Sequence, residues 1–200
     1  MASDPDAALM VAFQGGDERA FRSLFEKYGR AMVSFCHHFV RDRSRAEELA
    51  QDVFLKLHAS ADRYQPTARF RTFLYRIASN HCLNEVRRGE YGSRRALEAR
   101  EGSLALSPTD PDSLPATAAS PEETSLAAAL GRAVEQLLGS LPEKQRMAFV
   151  MGRLEGLSYE EIAEALGTTV PAVKSLVHRA TVSAASALAP FMAGGEEVAP

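Results

Sequence analysis

The 200-residue sequence has no tryptophan, two cysteines and no apolar run near the roughly 18 residues that cross a bilayer. Each absence removes a class of protein. Cys36 and Cys82 are too few for a multi-disulfide framework, and without CxxC spacing they do not form a zinc-binding pattern, so no metal or cofactor is expected. The N-terminus, "MASDPDAALM", lacks the basic start and apolar stretch of a secretion signal. The expectation is a soluble protein of the reducing cytoplasm with no membrane insertion of its own. No Gly-rich phosphate loop or nucleophile elbow appears, and strand-like alternation is missing. A basic surplus is missing too: the formal charge is -3, at first sight a poor match for a nucleic-acid binder.

What is present is helical patterning. A composition of 46% hydrophobic and 24% charged residues suits a folded globular chain, so disorder throughout is excluded. From Leu9 to about Arg88 apolar residues recur at three and four, as in Phe21, Leu24, Phe25 and Tyr28, with breaks near Gly15-Gly16 and Asp42. Residues 89–121 turn basic and then rich in Pro, Ser, Ala and Asp, with no apolar period. Helical patterning resumes at Glu122. The fold expected is all-α: a helical domain over residues 1–88, a flexible linker over 89–124, a helix-turn-helix domain over 125–187, and a tail over 188–200.

The stretch "GLSYEEIAEALGTTVPAVKSLVHRA" reads as two short helices and a tight turn. Ser158 and Glu161 have capping-box spacing, Gly167 suits a left-handed helix end, and Thr169 can cap the next helix, whose first turn tolerates Pro171. At 100° per residue Val173, Leu176, Val177 and Ala180 share one side, to pack on Ile162 and Leu166. Lys174, Ser175, His178 and Arg179 are left on the opposite side or its flank, placed for a major groove. An ordinary helical hairpin with a solvated face would show the same pattern.

Two further helices carry distinctive surfaces. In "RAEELAQDVFLKLHASADRY" a buried stripe of Leu49, Ala50, Val53, Phe54 and Leu57 opposes Glu47, Glu48, Gln51 and Asp52. Clustered acids repel one another, so this stripe suits a basic protein partner; a merely solvated face is the alternative. In "ADRYQPTARFRTFLYRIASNHCLNEVRR" a loop around Pro66 precedes a helix with Phe70, Phe73, Leu74 and Ile77 on its apolar stripe. Arg69, Arg76, Asn80 and Arg87 line another side, and Arg71 and Tyr75 are expected on the exposed perimeter. From Arg69 to Arg100 eight arginines face three glutamates, and eight minus three leaves a basic segment inside an acidic chain. Arginines interleaved with aromatics suit single-stranded nucleic acid, although Phe70 and Phe73 are expected in the core.

"AEELAQDVFLKLH", "FRTFLYRIASN", "LPEKQRMAFVMGRLEGLSYEEIAEALG" and "VKSLVHRA", in that order, resemble the bacterial sigma factors of the extracytoplasmic-function type. The resemblance covers nearly the whole chain apart from the termini and linker. It implies that Glu47, Glu48, Gln51 and Asp52 dock on core RNA polymerase. It implies that the loop and helix carrying Asp62, Arg63, Arg69, Arg71, Arg76, Asn80 and Arg87 recognise and open the promoter -10 element. Lys174, Ser175, His178 and Arg179 would read the -35 element, and an anti-sigma factor is an implied partner. Phe73 stands where the family usually has Trp, Leu176 where it usually has Arg, and Pro171-Ala172 where Gly-Thr is common.

Three alternatives stay open at this level. A dimeric helix-turn-helix regulator would leave the acidic and the basic helices unexplained. An enzyme using His37, His38, His58, His81 and the cysteines would need ligand spacing that "CHH" and "HC" lack, since neighbours on a helix diverge by about 100°. A redox role for Cys36 or Cys82 competes with plain core packing. Energetics favour a shared machine: separating about ten base-pair steps at about 1.4 kcal/mol each costs on the order of 14 kcal/mol, and capturing one flipped base returns only a few. The chain alone is therefore expected to bind duplex DNA poorly.

Overall fold

The computed structural model describes residues 4–98 and 121–192, and every regular element in them is helical. Helices α1 (Pro5–Gln14), α2 (Glu18–Val40), α3 (Arg43–Ala59) and α4 (Phe70–Glu98) form a first domain, with a 3-10 turn at Ala61–Arg63. Helices α5 (Pro121–Ser140), α6 (Glu143–Phe149), α7 (Tyr159–Leu166) and α8 (Val170–Met192) form a second, with a π-helical turn at Val150–Leu154.

The first three helices start where an aspartate can accept the orphan backbone donors of a first turn. Asp4, Asp17 and Asp42 accept from the amides of Asp6, Arg19 and Arg45 at 3.0, 3.0 and 2.7 Å. The break at Gly15-Gly16 follows from Gly16 standing at φ 95°, where a side chain would be strained. Arg41 ends α2 in the left-handed region at φ 57°. Leu24, Met32, Phe35, Leu49, Val53, Leu57, Phe70 and Leu74 are fully buried between α2, α3 and α4. Each such side chain contributes roughly 1.5–3 kcal/mol of burial. Asp6 is the charged residue of this core, and it is compensated: Lys27 lies 2.6 Å away and the Tyr28 hydroxyl donates to it at 2.6 Å.

In the second domain Met147, Val150, Met151, Ile162, Val173, Val177 and Ala180 close the core. The hairpin forms as its caps dictate. The Ser158 amide donates to the Glu161 carboxylate at 2.8 Å, the Glu161 amide donates back to the Ser158 hydroxyl at 3.2 Å, and Gly167 ends α7 at φ 60°. Ala172 donates to the Thr169 hydroxyl at 3.4 Å, and α8 already begins at Val170 despite Pro171 behind it.

Three boundaries differ from expectation. Helix α4 runs ten residues beyond Arg88, because "RRALE" is made of good helix formers that extend a helix already nucleated. Helix α8 likewise runs past residue 188 to Met192, α5 begins at Pro121 inside the expected linker, and residues 99–120 and 193–200 lie outside the described residues. The two domains touch, α4 packing on α7 and α2 meeting α5.

Candidate nucleic-acid interface

Helix α3 turns its apolar stripe inward and leaves Glu47, Glu48 and Gln51 exposed, with Asp52 half-buried. The acids are not free of counter-charge. Arg43 pairs with Glu47 at 3.2 Å, Arg45 reaches Glu48 and Glu85 at 2.6 Å each, and His81 meets Asp52 at 3.1 Å. Surface pairs of this kind contribute little stability and exchange readily for other partners. Among these acids stands Leu55, 67% exposed, which the sequence reading left out. Its position four residues after Gln51 was the available signal.

The loop between α3 and α4 is shaped from below. Ala61 and Tyr64 are buried, and Tyr64 packs edge-on against Phe73 with ring centres 5.0 Å apart. The residues between and after them, Asp62, Arg63 and Arg69, are left exposed. Beside this loop an open groove of about 440 Å³ is lined by Lys56, Ala59, Ser60, Arg63, Phe73, Arg76, Ile77, Asn80, His81 and Asn84. It brings together three of the expected residues, Arg63, Arg76 and Asn80. It adds Lys56 from α3, which shares no one-dimensional pattern with them, and His81 and Asn84 from α4, Asn84 continuing the i, i+4 row of Arg76 and Asn80. Phe70 is core, as expected, but Phe73 is half-buried and presents its ring to the groove, with the Arg76 guanidinium 5.1 Å from the ring centre. A cation over an aromatic at the edge of a groove is chemically suited to an unstacked base and its phosphate.

The remaining basic residues face the second domain. Arg71 is half-buried and donates to the Glu155 backbone carbonyl, and Tyr75 is 1% exposed with its hydroxyl on the Glu155 carboxylate. The expectation that both lie on the exposed perimeter is thereby corrected: the Tyr75 ring packs edge-on against Phe35 of α2, 5.2 Å between ring centres, and the second domain closes over Arg71 and the Tyr75 hydroxyl. Arg69 and Arg87 keep exposed side chains while reaching Glu161 at 3.5 Å and Glu143 at 3.6 Å. Burial pushes the Glu155 carboxyl up from its ordinary value, partly offset by the Tyr75 hydrogen bond and the Arg71 charge. Burial, then the same hydrogen bond, pushes the Tyr75 phenol well up.

On α8, Lys174, Ser175, His178 and Arg179 are all exposed, and Val173, Val177 and Ala180 are buried. Leu176 is half-buried between the two sides. Gly152 sits close beneath, where a Cβ would come within 3.3 Å of Ile162, so the hairpin rests directly on the π-helical turn. The histidines and cysteines are dispersed among packing roles. His58 stacks edge-on with Phe13 and Phe21, and Cys36 and Cys82 are fully buried. Among the described residues no three ligating side chains converge on a metal-sized site.

Comparison with known proteins gives two family-model matches, Sigma-70 region 2 over residues 24–90 and Sigma-70, region 4 over residues 131–181. The chain is 32% identical over 198 residues to the RNA polymerase sigma-H factor of Pseudomonas aeruginosa, covering 96% of this chain and 98% of that one. It is 32% identical over 181 residues to the ECF RNA polymerase sigma-E factor of Escherichia coli K12, covering 88% and 90%. A solved structure of the sigma factor RpoE with the anti-sigma factor NepR from Bartonella quintana has the same fold, with a TM-score of 0.63, 22% identity, and coverage of 84% of this chain and 96% of that one.

Proposed function

The chain belongs to the sigma-70 family, as a factor of the extracytoplasmic-function type, and from that premise we propose how its surfaces divide the work of promoter recognition. It is a promoter-specific initiation factor of bacterial RNA polymerase. The family consists of transcription factors, so the chain's own contribution is binding and positioning, with nucleotide chemistry left to the polymerase. The place of action that fits is the cytoplasm.

In this reading Glu47, Glu48, Gln51 and Asp52, around the apolar Leu55, dock on core polymerase. The groove beside the 61–69 loop receives the unstacked -10 strand: Arg63 and Arg76 neutralise phosphate, Phe73 offers a ring face, and Asn80 supplies a donor and an acceptor for a base edge. Arg69, Arg71 and Arg87 extend that basic track. Lys174, Ser175, His178 and Arg179 enter the -35 major groove from α8. An anti-sigma factor, such as the NepR bound to the Bartonella relative, is a further partner. The observation that carries the reading is the convergence of Arg63, Phe73, Arg76 and Asn80 on one groove.

The test is transcription by the reconstituted holoenzyme on promoters that it selects from a randomised library, with permanganate footprinting of opened thymines. An Arg76→Ala, Asn80→Ala variant is expected to keep core binding and upstream protection and to lose strand opening. A Lys174→Ala, Arg179→Ala variant is expected to lose upstream protection first. Unchanged opening in the first variant would remove the groove from the mechanism.

A further inference from the structure

Helix α1 lies outside every surface discussed so far, yet both of its ends are tied to the loop that borders the groove. At its C-terminal end Gln14 donates both amide hydrogens to that loop, at 2.6 Å to the Ala61 carbonyl and 2.9 Å to the Tyr64 carbonyl. These two carbonyls bracket Asp62 and Arg63. At its N-terminal end Asp4 divides its carboxylate between two helices. One oxygen accepts from Asp6 and caps α1, and the other accepts from the Phe70 amide at 2.8 Å, at the start of α4. The loop therefore begins against one end of α1 and finishes against the other. Ten helical residues fix that span at about 15 Å.

An exposed loop with alternative conformations cannot discriminate bases well, since each competing shape dilutes the one that fits. Gln14 can satisfy two loop carbonyls at once because a primary amide carries two donors, and a carboxylate of the same size carries none. We infer that α1 is a strut for base selection, with Gln14 and Asp4 as positioning residues that hold the 61–69 loop in its reading shape. This rests on the proposed reading of the loop and groove as the -10 recognition surface. Gln14 itself is half-buried, and its hydrogen bonds to the loop go to backbone carbonyls. Its effect on promoter choice is transmitted through the placement of Asp62 and Arg63.

The experiment uses holoenzyme reconstituted with wild type, Gln14→Glu, Gln14→Met or Asp4→Ala, and measures initiation from a template library randomised across the -10 element. The Glu variant keeps length and reverses hydrogen-bonding sense; the Met variant keeps bulk without charge and guards against simple misfolding of the first. Core binding and -35 protection are expected to stay within about twofold of wild type. Discrimination between preferred and disfavoured -10 bases is expected to fall by about tenfold in the Gln14 variants. A uniform drop on all templates, with base preferences intact, would reduce Gln14 to a structural role and overturn the inference. Wild-type holoenzyme indifferent to -10 sequence would overturn the recognition reading itself, and the strut with it.

Discussion

His38, near the end of α2, is driven toward its neutral form by burial, with neighbouring His37 adding repulsion, and its pKa falls to about 4 from the ordinary 6.5. The unfolded chain therefore takes up this proton at a higher pH than the folded one. The stability linked to His38 is complete above about pH 6.5 and is lost as pH falls toward 4. Denaturant midpoints measured at pH 7 and pH 4.5 are expected to fall further for wild type than for His38→Gln; parallel losses would contradict the assignment. The cysteines argue from burial as well. Their sulfurs lie 3.7 Å apart, and the Cys82 thiol is pushed far up by its hydrogen bond with Cys36 and then by burial. Because the thiolate is the reactive form, native protein is expected to resist a thiol reagent that labels both residues after unfolding. Fast labelling of the folded protein would revive a sensing role. Tyr75 marks what sequence could not reveal at this scale: helical periodicity places it on the perimeter, whereas its ring packs edge-on against Phe35 of α2 and its hydroxyl meets Glu155.

Among the elements, the α7–α8 hairpin was legible residue by residue, because capping and helix periodicity are local. Ser158→Ala removes one half of the capping box and is expected to cost about 1 kcal/mol, read as an earlier unfolding midpoint of the second domain. An unchanged midpoint would mean that tertiary packing alone defines that helix start. The acidic face of α3 was legible as a stripe, whereas Leu55 was legible only through its i, i+4 spacing from Gln51, since a single apolar residue makes no stripe of its own. At 67% exposure it adds little to folding, so Leu55→Ala is expected to leave melting unchanged and to weaken association with core polymerase several-fold. Equal affinity would remove it from that surface. The groove was only half legible: Arg76 and Asn80 share a helix face, whereas Lys56 comes from α3 and enters through folding. The continuation of α4 to Glu98 was hidden by the loss of apolar period after Arg88, and Gly89 and Gly92 are tolerated inside the helix.

At the scale of the whole molecule, the net charge of -3 averages a basic α4 against acids on α3 and in the second domain, and the contacts of Arg69, Arg71 and Arg87 bring these together. Elements centred roughly 25 base pairs apart are separated by about 85 Å of duplex at 3.4 Å per pair. A compact chain of this length has a radius of gyration of only about 16 Å. Domains in contact cannot read both elements, so promoter engagement requires them to part. Fluorophores on the exposed positions Ser23 and Ser183, introduced as Ser→Cys, are expected to lose energy transfer when core polymerase binds. High transfer retained in the holoenzyme would contradict the separation.

The most direct measurement is association of the purified chain with core bacterial RNA polymerase, wild type against a Glu47→Ala, Glu48→Ala, Asp52→Ala variant, followed by run-off transcription. Tight binding that falls at least tenfold in the variant is predicted, with transcripts only when chain, core enzyme and promoter DNA are all present. No association with core enzyme, together with tight sequence-specific duplex binding by the chain alone at physiological salt, would contradict it.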